Sequence, residues 1–435
     1  MNGVRFGWCG VRLLSSKSIA IERSPWWYVP TLYFQQGLPV ILVQQFSVLM
    51  YKKLGVPNDE IGLWTSLITW PWILKMFWGP LVDSHSTKRK WVEITQILIT
   101  IFLGLAALAV TSSHFLPLTL AIFFIMAFFS ATHDNALDAF YMEALPPTKQ
   151  AFFIGIRSTF FRLAMVFCTG GLVVLAGSLE THGFEIARAW QFSVLAAAVL
   201  YGILTVYARW AAPVVTPIVK NRGEASFQEA FRTFFIQRRV WAILLFFLTY
   251  RFGESMLSKM SGLFLLDTRP AGGLGLTTLE VGVIVGNFGM IALVAGGILG
   301  GITVSKFGLK KCIWPMAFTM HIPNLLYLWA ANSLPPTSTV GWIVAVDQFA
   351  YGFGLASYMF FAMEVCRKSF YKASHYAMIA GVMALGAMLA GMASGFVQKT
   401  LGYPGFFTVV CLATVPGMLL IFFLPLEEKV ERTWN

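Results

Sequence analysis

Charge is scarce in this sequence: aspartate, glutamate, lysine and arginine make up 12% of its 435 residues, while 57% are hydrophobic, including 39 Phe and 15 Trp. A chain so composed cannot cover a water-facing surface, which excludes an ordinary soluble protein. Cysteine is scarce as well. Cys9, Cys168, Cys312, Cys366 and Cys411 are dispersed, with no CxxC or His-Cys ligand spacing, so neither a disulfide framework nor a metal module is expected. No phosphate-binding loop of the G-x-x-x-x-G-K-[ST] type occurs, so any uphill work would draw on an ion gradient, and no cofactor is expected. The segment before Trp26 carries Arg5, Arg12, Lys17 and Arg23 but no long apolar core and no small-residue cleavage site. It therefore reads as a cytoplasmic tail, residues 1–25, rather than a secretory signal.

What the chain has instead is long apolar runs. A hydrocarbon core of roughly 30 Å is crossed by about 20 helical residues, and helices keep every backbone polar group satisfied without water. Twelve runs meet that length, at 26–50, 62–81, 92–112, 117–143, 151–177, 190–208, 240–266, 279–301, 312–331, 340–365, 375–398 and 405–424. The expected class is an all-α membrane protein of twelve transmembrane spans, numbered here 1 to 12, with lipid as its surroundings and a monomer as its unit. The net charge of +12 is distributed unevenly. Of the lysines and arginines outside the spans, only Lys52, Lys53, Arg188, Arg269 and Lys399 fall on outer loops; the others lie on the side of the two chain ends. That is the positive-inside signal, placing both ends in the cytoplasm, and not the basic patch of a nucleic-acid binder.

Two stretches six spans apart resemble each other. After span 2 the chain reads Gly79-Pro80-Leu81-Val82-Asp83-Ser84-His85-Ser86-Thr87-Lys88-Arg89-Lys90, and after span 8 Gly300-Gly301-Ile302-Thr303-Val304-Ser305-Lys306-Phe307-Gly308-Leu309-Lys310-Lys311. This is an internal repeat. Both turns resemble the loop signature of the major facilitator superfamily, in which glycine lets helices approach and charges latch their ends. The resemblance implies a major facilitator fold of two six-helix bundles, 26–210 and 240–424, with a tail at 425–435, and gating roles for Asp83, Lys88, Arg89, Lys90, Gly308, Lys310 and Lys311. Between the bundles, Pro213, Pro217 and the polar run Lys220 to Glu224 make 211–239 a cytoplasmic linker. Its end sets Phe227, Phe231, Phe234 and Phe235 on one helical face beside Arg232, Arg238 and Arg239, which suits the inner membrane surface.

A charge at bilayer depth costs about 2.5–3.5 kcal/mol on insertion scales, so each one in a span should be paired or face a wet cavity. Spans 2, 4, 5, 7 and 10 carry Lys75; Asp134 and Asp138; Arg157 and Arg162; Arg251, Glu254 and Lys259; and Asp347, whereas spans 3, 6, 9 and 12 carry none at depth. With a rise of ~1.5 Å per residue, Asp138 and Arg157 reach one depth and Asp134 and Arg162 another. The spacing predicts a two-rung ladder, although Arg157 and Arg162 point about 140° apart, so one of them is free to reach the cavity or Lys75. Arg251 and Glu254, at i and i+3, are expected to neutralise each other. Lys259 is left to pair with Asp347 or to hold an anionic solute. Gln35, Gln36, Gly37 and Pro39 are expected to break span 1 and to offer amides to a sugar or peptide, with Gln348 beside Asp347 doing the same.

His133 to Asp138 happens to match the H-x-x-x-x-D pattern of some lipid acyltransferases, but it sits mid-span with no phosphate-binding loop near it, so no enzyme is expected. Gln36-Gly37-Leu38-Pro39, Leu74-Lys75 with Trp78-Gly79-Pro80-Leu81-Val82-Asp83, and Ser130-Ala131-Thr132-His133-Asp134-Asn135-Ala136-Leu137-Asp138-Ala139 resemble AmpG-type muropeptide permeases. The resemblance implies proton-coupled import of cell-wall-derived anhydromuropeptides across a bacterial inner membrane. Asp134 and Asp138 match important aspartates of that family and Lys75 a family lysine; His133 stands where the family usually has Gln. The implied partners are a small-molecule solute and protons. The expected roles are proton coupling by Asp134, Asp138 and His133, and solute binding by Gln35, Gln36, Lys259, Asp347 and Gln348. Lys75, Arg157, Arg162, Arg251 and Glu254 are their charge partners. Related branches are thought to carry siderophores or acetyl-coenzyme A, so a siderophore or other amphipathic anion is the alternative cargo; a non-transporting sensor is the alternative class.

Overall fold

The computed structural model describes residues 24–84, 86–214, 227–237, 239–367 and 371–426. The tail expectations for 1–23 and 427–435, most of the linker, and Arg238 therefore lie outside the described residues, as do the side chains of Asp83 and Phe227. Among the described residues the chain is wholly helical. Eight helices are each long and apolar enough to cross a membrane. The last of these, Ser374–Phe423, turns at Gly402, whose φ of 66° suits a residue without a side chain, and so makes two passes. Spans 1, 2 and 9 complete the twelve, each assembled from shorter helical pieces: Val29–Ile41 with Ser47–Lys53, Asn58–Leu67 with Trp70–Ser84, and Leu309–His321 with Asn324–Ser333.

Where the helices deviate is not where the sequence suggested. Span 1 runs unbroken through Gln35, Gln36, Gly37 and Pro39. Proline costs one backbone bond, and the helix absorbs the change in a wide π turn just beyond it, Leu42–Phe46. Spans 5 and 8 hold similar π turns, Phe167–Leu172 and Gly282–Gly289. Span 7, like spans 2 and 9, is interrupted at depth, between Val240–Thr249 and Phe252–Leu266. It leaves Tyr250 and Arg251 at a joint with no glycine or proline within it.

We call the end of the bundle where residues 24 and 426 lie proximal and the opposite end distal. The hydrogen bonds and ion pairs that tie one half to the other cluster in the distal half. Lys52 meets Asp267 at 2.5 Å. Asn58 donates to Asp267 at 3.2 Å and to Gln398 at 2.9 Å. Lys399 meets Asp59 at 2.8 Å, and the Thr278 hydroxyl donates to Glu180 at 2.7 Å. Spans 5 and 8 close there too: a Cβ added to Gly286 would collide with the backbone of Gly170, so only glycine allows this approach. Within the amino-terminal half, Lys53 meets Glu180 at 3.1 Å and Arg188 meets Glu185 at 3.7 Å at the same end.

At the proximal end, Arg89 donates to Glu93 at 2.8 Å and to the Arg209 carbonyl at 2.9 Å, tying the start of span 3 to the end of span 6. Gly308 ends span 8 with a φ of 83°, again a glycine conformation. The linker helix Phe227–Phe235 docks on the start of span 11. Phe234 is buried there against the His375 ring, and Gln237 lies 2.9 Å from the same imidazole.

Candidate functional site

Two chambers lie between the halves. The proximal one, about 420 Å³, is walled by Tyr33 and Gln36 of span 1, Asp134 and Asp138 of span 4, Arg157 and Arg162 of span 5, and residues of spans 8 and 10. The distal one, about 400 Å³, is walled by spans 1, 2, 5, 7, 8, 10 and 11, with Arg251, Glu254, Lys259, Asp347 and Gln348 among its residues. Met165, Leu293 and Tyr351 line both, and we call the place where the two chambers adjoin the neck. Spans 3, 6, 9 and 12 line neither, as their lack of deep charge foretold.

The ionisable ladder of the proximal chamber is half as expected. Asp138 meets Arg157 at 3.1 Å and accepts from the Tyr33 hydroxyl at 2.9 Å, while the Arg157 guanidinium lies 4.6 Å above the Tyr33 ring. Asp134 does not pair with Arg162. It pairs with Lys75 and accepts from the Gln36 amide, because the flexible lysine stem of span 2 reaches the aspartate that span 5 cannot. Asn135 fixes the same stretch of span 2 by donating to the Lys75 carbonyl at 3.0 Å. Arg162 has no acid partner among the described residues; its guanidinium is turned across the gap toward Gly297 of span 8, whose added Cβ would lie 3.4 Å from it.

In the distal chamber the expected ion pairs do not form. Arg251 and Glu254 are not joined. The break at Tyr250 swings the guanidinium onto the Tyr351 hydroxyl and over the rings of Tyr351 and Tyr358, at 5.2 and 5.8 Å. Lys259 reaches Thr65 at 3.1 Å rather than Asp347. Asp347 accepts from the neighbouring Gln348 amide at 3.0 Å. Two further expectations fail. Gln35 is fully buried away from both chambers, donating to Thr205 at 3.1 Å and accepting from Gln96 at 3.0 Å, so it braces spans 1, 3 and 6. His133 is fully buried, lines neither chamber, and finds no hydrogen-bond partner for either ring nitrogen, so it is misplaced for proton relay.

Sequence reasoning missed Gln44, Gln45, Ser66, Thr69, Trp72, Ser255 and Ser258 in the distal wall, and Lys52, Asn58, Asp267 and Tyr403 in the distal seal. The stripe Arg251, Glu254, Ser255, Ser258 and Lys259, at helical spacing on span 7, was the readable signal for the first set. Lysines on loops where lysine is rare were the signal for the second.

Residues 33–374 match the profile of the Major Facilitator Superfamily. The chain belongs to that superfamily. It is 25% identical over 407 residues to the anhydromuropeptide permease of Escherichia coli K12, covering 92% of this chain and 79% of that one. Among solved structures it resembles the nucleoside transporter NupG, with a TM-score of 0.66 at 16% identity over 91% of this chain and 96% of that one. It also resembles a D-xylose-proton symporter, with a TM-score of 0.68 at 12% identity over 91% and 97% of the two chains. This superfamily member is a multi-pass membrane protein and a secondary transporter of small solutes, not an enzyme.

Proposed function

We propose that this chain is a proton-coupled importer of a cell-wall-derived muropeptide or similar amino-sugar solute, resident in a bacterial inner membrane. Support for the cargo comes from the E. coli anhydromuropeptide permease, a relative that aligns over most of this chain. Both termini are assigned to the cytoplasm from the basic residues on their side. The distal seal is then periplasmic, and the described conformation is the one that receives or releases solute on the cytoplasmic side. Bundles 26–210 and 240–424 act as the two rocking units around the chambers, with lipid around them, and a single chain suffices.

The observation that carries the coupling is the proximal ladder. Each span-4 carboxylate is neutralised by a base from a different helix, Asp134 by Lys75 of span 2 and Asp138 by Arg157 of span 5. Protonating Asp138 removes the charge that holds Arg157, leaving an unpaired guanidinium at membrane depth. That costs about 2.5–3.5 kcal/mol on insertion scales unless the cation finds another partner, and an anionic solute supplies one. Protonation and cargo binding are thereby linked.

The test is uptake of labelled anhydromuropeptide into proteoliposomes, acidic outside and negative inside, with and without a protonophore. Protonophore-sensitive uptake, abolished by Asp134→Asn and Asp138→Asn at unchanged membrane expression, supports the reading. Normal pH-dependent uptake by both variants sinks the coupling role. Protonophore-sensitive uptake of a siderophore in place of the muropeptide moves the cargo to the alternative class.

A further inference from the structure

We propose that the cargo is bipartite, with an uncharged part rich in hydroxyl and amide groups in the distal chamber and a carboxylate on Arg162 in the proximal one. This deepens the transport reading above and rests on it. The two chambers differ in how their charges are satisfied.

In the distal chamber two bases, Arg251 and Lys259, balance two acids, Glu254 and Asp347, and none of the four is ion-paired with another. The formal charges of the four sum to zero. Yet Ser66 Oγ, Trp72 Nε1, Arg251 Nε, Glu254 Oε2 and Asp347 Oδ1 are buried without hydrogen-bond partners, and all belong to residues of its wall. Glu254 and Asp347 are each only 2% exposed. Buried polar groups left unmatched are costly, and here both donors and acceptors belong to the wall of one chamber. A polyhydroxyl ligand, whose every hydroxyl both donates and accepts, satisfies both kinds; an anion would satisfy only the donors.

The proximal chamber is built the other way. Its two acids are already paired with bases, and none of its wall residues holds a buried polar atom without a partner. What remains is one excess cation, Arg162, whose planar fork suits a carboxylate. Tyr33 and Phe161 add apolar wall beside it. Each chamber, at about 400 and 420 Å³, falls within the range of a single ligand site, so a molecule passing the neck at Met165, Leu293 and Tyr351 places unlike parts in each.

The experiment is equilibrium binding to the full-length protein in lipid nanodiscs. Three probes are used: anhydromuropeptide, the same molecule with its carboxyl groups amidated, and the peptide-free disaccharide with its lactyl carboxyl amidated. Amidation is expected to weaken binding to the wild type at least about tenfold, the worth of one charge-assisted hydrogen-bond partner, and to have little further effect on Arg162→Gln. Arg162→Lys should restore part of the discrimination, and disaccharide binding should survive Arg162→Gln but weaken in Glu254→Gln. Equal affinity for free and amidated probe in the wild type overturns the division of the chambers and leaves the muropeptide reading standing. Binding of none of the three overturns both.

Discussion

Removing the Asp267 carboxylate asks how much of the distal seal a single side chain holds. Asp267 ends span 7 and accepts from two groups of the other half, Lys52 at 2.5 Å and Asn58 at 3.2 Å, as well as from Tyr403 of its own half at 2.5 Å. Only the first two oppose separation of the halves. The side chains of Lys52 and Asp267 are 17% and 14% exposed, so water screens them little. A hydrogen bond to a charged group contributes about 1.5–3 kcal/mol, and because Lys52 regains hydration when the seal opens, a combined ~2–3 kcal/mol is expected for the pair of contacts. Asp267→Ala should therefore shift the ratio of sealed to open protein by roughly 30- to 150-fold. Spin labels at His114, on a distal turn, and Ser338, in the first distal turn of the span-10 helix, both exposed and in opposite halves, read this as a second, longer distance appearing in the distribution. Lys52→Met should give part of the same effect and add little to Asp267→Ala, since the two share one interaction. An unchanged distance distribution in Asp267→Ala, or full additivity with Lys52→Met, refutes the reasoning.

Other expectations follow from the same geometry. Gly286→Ala puts a methyl group into the backbone of Gly170; the protein should reach the membrane but fail to seal, giving only the long distance between the same labels. Lys399→Ala breaks the contact with Asp59, but Lys399 is 65% exposed and water screens it; the seal should hold, measurable as a near-normal distance distribution. Arg89→Ala removes the tie between spans 3 and 6 and should lower thermal stability by about 1 kcal/mol with the labelled distances unchanged.

Much of this architecture is legible in the sequence because the bilayer imposes it. Length and apolarity locate the spans, and depth counted from a short connection predicts that Asp138 meets Arg157. Depth does not fix rotation about a helix axis or the spacing between helices. That is why Asp134 was assigned to Arg162 when Lys75 holds it, and why Gln35, polar and at the right depth, faces spans 3 and 6 instead of a chamber. The joint at Tyr250 carries no breaker residue, so the turn that takes Arg251 away from Glu254 onto tyrosine rings left no local mark. Span 1 shows the converse: Pro39 marks a break that a π turn makes unnecessary.

The distal seal has a consequence for how the protein is made. Asn58 and its partner Asp267 are 209 residues apart, and Lys52 is synthesised earlier still. Lys52 thus reaches the distal side long before the carboxylate that neutralises it has been translated. Until span 7 is inserted, the amino-terminal half presents Lys52 and Asn58 at its distal end with their eventual counterpart missing. Severed at the linker and expressed alone, that half would be an unfinished surface, and the two pieces co-expressed would have reason to find each other.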